Sequence, residues 1–322
     1  HKLPFGQPYS KGKTKEGILA AAYIQKQTEL IIIELVKRLV KKTGKRKLCL
    51  SGGVALNSSA NAKLIQEQIV DDIFIFPAAS DRGQAVGNAL YGSYKLMGYL
   101  PKNPLKHDYF GREYSEDEIL VALKRKHNAY VKKVIPTKKL EYEKQKNIAK
   151  TTAQLIADGK IIGWFQGKSE LGPRALGHRS IVCDPRRQDM KDILNERVKH
   201  REGFRPFAPS CLAEFTSEYF DWNMPSPFML FVTPIKENKI KVIPSVAHID
   251  NTGRLQTVTE KDNGIYYKLI KEFYKLTGVP IILNTSFNDQ EPIVETPGDA
   301  VTTFLTTDMD YLVIGNFLAW KK

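Results

Sequence analysis

Cysteine is scarce. Cys49, Cys183 and Cys211 are the only three in 322 residues, odd in number and far apart. No CxxC or Cys/His metal pattern exists, so a disulfide scaffold and a zinc ribbon are excluded, and the composition suits a reduced, cytoplasmic setting. Each cysteine reads as a small buried apolar residue. Long apolar runs are missing too. LIIIELV at 30–36 is short and carries Glu34, which excludes a membrane-spanning helix. No signal-peptide pattern is present. The six histidines (His1, His107, His127, His178, His200, His248) include no His-x-x-x-His pair. Aromatic and basic residues do not interleave as in RNA-binding modules, so nucleic acid is not the expected partner. Acidic residues are outnumbered, 35 against 49 basic, a formal charge of +14. That balance calls for an anionic partner, although the lysines of KRLVKKTGKRK (37–47) fit a solvated helix face.

What is present is ordinary globular composition, 42% hydrophobic and 26% charged, with length for about two α/β domains. Residues 1–15 read as an extended polar lead-in. Helical spacing runs over 16–43. RKLCL (46–50) reads as a strand ending in Ser51-Gly52-Gly53, followed by a helix at 57–68, a strand at 72–78, a turn at 80–83 and a helix at 83–98. LPKNPLKHDYFGREYS (100–115) has two prolines and no periodicity and reads as a linker. Beyond it the pattern predicts helices at 116–126, 140–158, 189–199, 263–277 and 297–306. Strands are predicted at 129–135, 160–165, 228–233, 279–284 and 310–314.

Three regions carry chemistry. Gly52 and Gly53 follow a strand and precede a helix, which makes either a phosphate contact or a plain tight turn. Asn57 is either a ligand contact or a helix N-cap. Asp81 lies just past a strand, where ligands collect; it either binds a metal, orients a hydroxyl or caps the next helix. The third region places cations beside bends: Lys168, Arg174, Arg179 and Arg186 in GKSELGPRALGHRSIVCDPRR, then Lys199, Arg201 and Arg205 in VKHREGFRPFAPS. Pro206 keeps Arg205 out of a helix. Guanidinium forks suit phosphates and carboxylates, and helical surface pairs do not gather at GP, DP and FRP turns. Arg254 in HIDNTGRLQTV, with His248 and Asp250 before it, and Asn284 and Ser286 in LNTSFN are further ligand or turn candidates.

The stretches LCLSGGVALN, FPAASDRGQAVGNALY, GWFQGKSELGPRALGHRSIVCDPR, VKHREGFRPFAPS, HIDNTGRLQTV and LNTSFNDQEPIVETPGDAV together resemble the O-carbamoyltransferase family of nodulation protein NodU and the tobramycin and cephamycin carbamoyltransferases. The resemblance implies an α/β protein of two domains. Residues 1–105 would be the latter part of an actin-like ATPase-fold domain, and 106–322 a YrdC-like domain. It implies that carbamoyl phosphate and ATP form carbamoyladenylate, whose carbamoyl group passes to a hydroxyl of a small-molecule acceptor. By motif match, Arg174, Arg179, Lys199 and Arg205 would be catalytic. Gly52, Gly53, Asn57, Lys168, Arg254, Asn284 and Ser286 would bind substrate or nucleotide, and Asp81 would be a metal ligand, with iron the metal of the full-length enzyme. Lys168 stands where the family commonly has arginine. The family's metal-binding histidine pair is absent, which reads as a chain lacking the first half of the first domain; such a fragment would adenylate but not transfer. Apolar surface on the incomplete domain would favour a homodimer. Two other readings are an enzyme of the tRNA threonylcarbamoyladenosine type and a non-enzymatic nucleotide- or nucleic-acid-binding module.

Overall fold

The computed structural model describes residues 14–102, 105–125 and 139–322. The predicted lead-in lies almost wholly outside these residues, and the predicted strand at 129–135 lies wholly outside them. The chain forms two compact units, one from residues up to Leu50 with Ser59–Phe74, the other from Ser51–Ser58 with Ile75 onward.

In the first unit, helix α1 (Lys15–Thr43) starts at Thr14, whose hydroxyl accepts from Gly17 N, and stops at Gly44, left-handed at φ 67°. Strand β1 (Lys47–Leu50) pairs with β2 (Asp72–Ile75), with helix α2 (Ser58–Gln66) between them in sequence. Glu29 of α1 is buried and ion-paired with Lys63 of α2. On β1, Leu48 is buried and Cys49 is exposed. The alternation of a strand puts the two on opposite faces, which corrects the expectation of three buried cysteines.

The second unit continues with α3 (Gln84–Met97), α4 (Glu116–Lys124), β3 (Leu140–Lys144), α5 (Ile148–Ala157), β4 (Ile162–Phe165), β5 (Arg179–Cys183) and α6 (Met190–Arg197). Then come β6 (Ala208–Leu212), α7 (Thr216–Tyr219), β7 (Phe231–Pro234), α8 (Glu237–Ile240), β8 (Thr252–Val258), α9 (Gly264–Thr277), β9 (Ile281–Ser286), α10 (Pro297–Thr306), β10 (Tyr311–Ile314) and β11 (Phe317–Lys321). Among the described residues the last nine strands form one sheet, ordered β3-β11-β10-β4-β5-β9-β6-β8-β7. It is mixed: β4–β10 and β6–β8 are parallel, and the other pairs are antiparallel. Helix α5 packs on α9, and α10 on α4. Ile156, Ile281, Leu283, Leu269 and Phe273 are among the fully buried apolar side chains. Burying one such side chain contributes roughly 1.5–3 kcal/mol.

The predicted helix at 140–158 is two elements. LEYEK forms edge strand β3, and α5 starts only after Asn147, whose side chain accepts from Lys150 N at 3.1 Å. β5, β6, β8 and β11 were not predicted. Polar or prolyl residues interrupt the apolar pattern of β5, β6 and β8, whereas β11 (FLAWK) is a short apolar run at the end of the sequence. The registers Phe165↔Arg179 and Ser180↔Ser286 bring the end of β4, the start of β5 and the end of β9 side by side. The candidate site lies at that junction.

Candidate functional site

Residues 166–178 cross from β4 to β5, and one carboxylate fixes their course. Glu170 Oε1 accepts from Leu176 N at 2.7 Å, His178 N at 2.9 Å and Arg179 N at 3.3 Å. These donors would otherwise have no ladder partner at the mouth of a strand. Gly177, at φ 110°, lets the backbone lie on the Tyr266 ring; a Cβ there would sit 2.5 Å from the ring's Cγ. Buried amides hold the loop's carbonyls. Asn284 Nδ2 donates to Ala175 O at 3.1 Å, and Gln256 Nε2 donates to Leu176 O at 2.8 Å. Ser210 and Tyr266 complete this network.

The segment 108–111, expected to be linker, backs the same loop. Leu171 N donates to Asp108 O at 2.9 Å and Gly111 N to Ser169 O at 3.1 Å. The Tyr109 ring stacks on His178 at 3.8 Å. Asp108 is 1% exposed and neither carboxyl oxygen has a hydrogen-bond partner among the described residues. Burial, then the nearby Glu170 charge, pushes its pKa up to about 8.

The loop faces a cleft of about 440 Å³ lined by Arg82, Ser169–Arg174, Arg179, Ser286, Asn288 and Pro292–Glu295. Arg174 makes no hydrogen bond or ion pair among the described residues, and its Nε is buried. Burial and the neighbouring Arg82 cation lower its pKa. Arg254, on β8 opposite Val232 of β7, is likewise unpaired among the described residues, with Nε buried. Burial first, then Arg174 and Arg201, push its guanidinium down to about 9. Arg82 and Arg174 line the cleft without an ion pair among the described residues, and Arg254 lies outside that lining, acting on no carboxylate but on Arg174 as a like charge. Unpaired guanidiniums are strong donors for an anion.

The other sequence candidates occupy different positions. Arg179 is not on a bend: it opens β5, wholly buried, with its guanidinium 3.6 Å from the Phe165 ring centroid. It donates to Gln166 O at 2.6 Å and Gly167 O at 3.1 Å, so part of its fork holds the loop while its edge lines the cleft. Lys199 is buried, and its ammonium meets four oxygens: Ser286 O at 2.6 Å, Ser286 Oγ at 3.1 Å, and Asn288 O and Oδ1 at 2.8 Å. Burial and Arg201 push Lys199 down to about 7, while those oxygens solvate its ammonium form. Ser286, at the end of β9, lines the cleft.

Arg205 is exposed and paired with Glu202 at 2.9 Å, outside the cleft lining. Arg186 is clamped on Asp184. Lys168 is exposed, and its carbonyl accepts from His178 Nδ1. Gly52 has φ 91° and open space on its Cβ side; with Gly53 it leads into a 3-10 turn (Gly53–Leu56). Asn57 closes that turn through its backbone N–H to Val54 O. None of the three lines the cleft. Asp81 opens a 3-10 turn (Asp81–Gly83), and α3 starts after Gly83 with no side-chain cap. Among the described residues no three His, Cys, Asp or Glu side chains converge to hold a metal ion. Asp81 therefore does not fit an iron or other metal centre by itself. Among the described residues no helix is long and apolar enough to cross a membrane.

Sequence reasoning missed Glu170 and Asp108 as loop supports. The signal for Glu170 was the ELG that opens the ELGPRALGHR motif; Asp108 had none, because its partners lie more than sixty residues on.

The structure thus presents a mixed nine-stranded sheet among the described residues, with a cleft lined by Arg82, Arg174 and Arg179 where strands end. Residues 153–321 match the family model described as carbamoyltransferase C-terminus, and residues 5–90 the one described as carbamoyltransferase N-terminus. The chain belongs to the carbamoyltransferase family. It is 45% identical over 306 residues to nodulation protein NolNO of Sinorhizobium fredii, covering 94% of this chain and 44% of that protein. It is 44% identical to nodulation protein NolO of Bradyrhizobium diazoefficiens, covering 94% and 54%. It is 33% identical to nodulation protein U of the latter organism, covering 86% and 45%. The chain spans about half the length of the curated relatives it matches. Among solved structures it is similar to full-length HypF in the phosphate- and nucleotide-bound form (18% identity, TM-score 0.37, 57% of this chain and 22% of that one). It is also similar to P. abyssi Sua5 complexed with L-threonine (15% identity, TM-score 0.38, 52% and 46%).

Proposed function

We propose that this chain carries the adenylating site of an O-carbamoyltransferase. In this reading residues 106–322 act as a YrdC-like domain that binds carbamoyl phosphate and ATP in the cleft. Carbamoyl phosphate and water yield carbamate and phosphate; a carbamate oxygen then attacks the α-phosphorus of ATP and pyrophosphate leaves. Residues 1–105 belong to the domain in which an acceptor hydroxyl of a small molecule displaces AMP. Arg174 and Arg254 neutralise the phosphates and the charge that builds during the displacement. Arg179 and Lys199 fix the loop and the end of β9 against them, with Ser286 at the cleft wall. Adenylation turns a poorly electrophilic carbamate into one with a good leaving group.

The observation that carries this reading is the pair of unpaired, largely buried guanidinium groups of Arg174 and Arg254 in a chain of this family. The test is exchange of labelled pyrophosphate into ATP with and without carbamoyl phosphate. Exchange is expected only when carbamoyl phosphate is present, and Arg174→Ala is expected to lower it at least about a hundredfold. Exchange of equal size without carbamoyl phosphate, or none from folded protein, rules the reading out.

A further inference from the structure

Arg82 is a cation in the cleft that no motif assigned. It belongs to the segment matched by the N-terminus family model (5–90), whereas the rest of the lining, residues 169–295, belongs to the part matched by the C-terminus model. Two glycines explain how it reaches the cleft. Gly83 N donates to Ser80 O at 2.9 Å, and a Cβ on Gly83 would run into the Ala78 carbonyl, so the tight turn after Arg82 needs glycine. On the arginine loop, a Cβ on Gly172 would lie 2.8 Å from Pro77 O. The backbone at 77 and the backbone at 172 thus abut with no side chain between them, which seats the turn on the loop.

Once seated, Arg82 has no hydrogen bond or ion pair among the described residues. Its neighbour in charge is Arg174, on which it acts as a like charge and on which no carboxylate acts. The cleft's own carboxylates face elsewhere: Glu170 accepts the loop's N–H groups and, with Glu295, acts on Arg179. Two guanidiniums without an ion pair lining one cleft have the chemistry to grip a polyphosphate through paired N–H donors.

We propose that Arg82 is a further polyphosphate-binding residue of the cleft, acting with Arg174, so that the segment matched by the N-terminus family model completes a site otherwise built from residues 169–295. This rests on the proposed function in taking the polyphosphate to be that of a nucleoside triphosphate. Because Arg82 follows Asp81 on a three-residue turn, filling the cleft also restrains the turn that carries Asp81.

The test is isothermal titration of the whole chain with ATP and with inorganic pyrophosphate at fixed ionic strength, using wild type, Arg82→Ala, Arg82→Lys and Arg174→Ala. Thermal unfolding of each without ligand accompanies it. Arg82→Ala is expected to raise both dissociation constants about tenfold or more, with Arg82→Lys in between. Its unliganded Tm should stay level or rise, because a like charge is removed from beside Arg174; a merely structural arginine would lower Tm and leave affinity alone. Wild-type affinity in Arg82→Ala, alongside lost binding in Arg174→Ala, overturns the proposal and leaves the reading of the cleft standing. If wild type binds neither probe, both fall.

Discussion

Single side chains here separate into those that wait for a ligand and those already committed to the fold. Lys199 is committed. Replacing it with Ala removes a donor from four oxygens of Ser286 and Asn288; Ser286 O keeps Asn288 N and Asn288 Oδ1 keeps Ser286 Oγ, while Asn288 O loses the ammonium. A loss of about 2–4 kcal/mol is expected in urea unfolding, along with lost binding. Asp108 is committed in a different way. Its folded pKa, about 8, lies above the unfolded value near 3.9, so between those limits the native state holds a proton that the unfolded chain has released. Stability contributed by this group is complete below about pH 4 and is lost as pH rises toward 8, by up to about 1.4 kcal/mol per pH unit. Relative to wild type, Asp108→Asn should show a flatter pH profile and a higher Tm at pH 8; parallel profiles from pH 5 to 8 would refute the assignment. The sequence pointed to Arg174 and Arg254 through residue type and neighbouring turns. It did not separate them from Arg186 and Arg205, because Asp184 and Glu202 neutralise those two through contacts that only folding reveals.

At the scale of elements, the loop between β4 and β5 depends on one carboxylate oxygen. Glu170→Gln keeps an acceptor for Leu176, His178 and Arg179 and is expected to cost under about 1 kcal/mol. Glu170→Ala strands three donors and should cost about 2–4 kcal/mol, with nucleotide binding lost. Circular dichroism melts with ATP titration separate the two variants. Gly177→Ala should be at least as damaging, since its φ of 110° and the Tyr266 ring both oppose a side chain. Long helices with clear caps, such as α9 with Asn263 before it and Gly278 after it, were legible from periodicity and punctuation. Short sheet strands were not. β5 reads RSIVC and β6 reads APSCL; their hydrogen bonds to β9 decide their state, and those partners lie about seventy to one hundred residues on.

For the whole molecule, the positive excess is not spread evenly in effect. Many lysines are solvated, while the unpaired guanidiniums of Arg82 and Arg174 line one cleft, which suits a compact polyanion better than a nucleic-acid track. The apolar surface anticipated from the sequence is present on α1, where Ile24, Ile31 and Leu35 are exposed. We expect concentration-dependent self-association in sedimentation velocity, reduced by the double substitution Ile31→Lys with Leu35→Lys; unchanged sedimentation would remove the homodimer expectation.

The uncompensated guanidiniums have a practical corollary. A fold that carries mutually repelling cations melts at a temperature set partly by its buffer. Any phosphate, pyrophosphate or nucleotide that fills the cleft stabilises the native state by mass action, about 2.7 kcal/mol at a hundredfold excess over its Kd. Melts in phosphate and in chloride at matched ionic strength should therefore disagree, with phosphate higher. Protein purified in a phosphate buffer carries an occupant into every later affinity measurement, weakening apparent nucleotide binding until it is dialysed away.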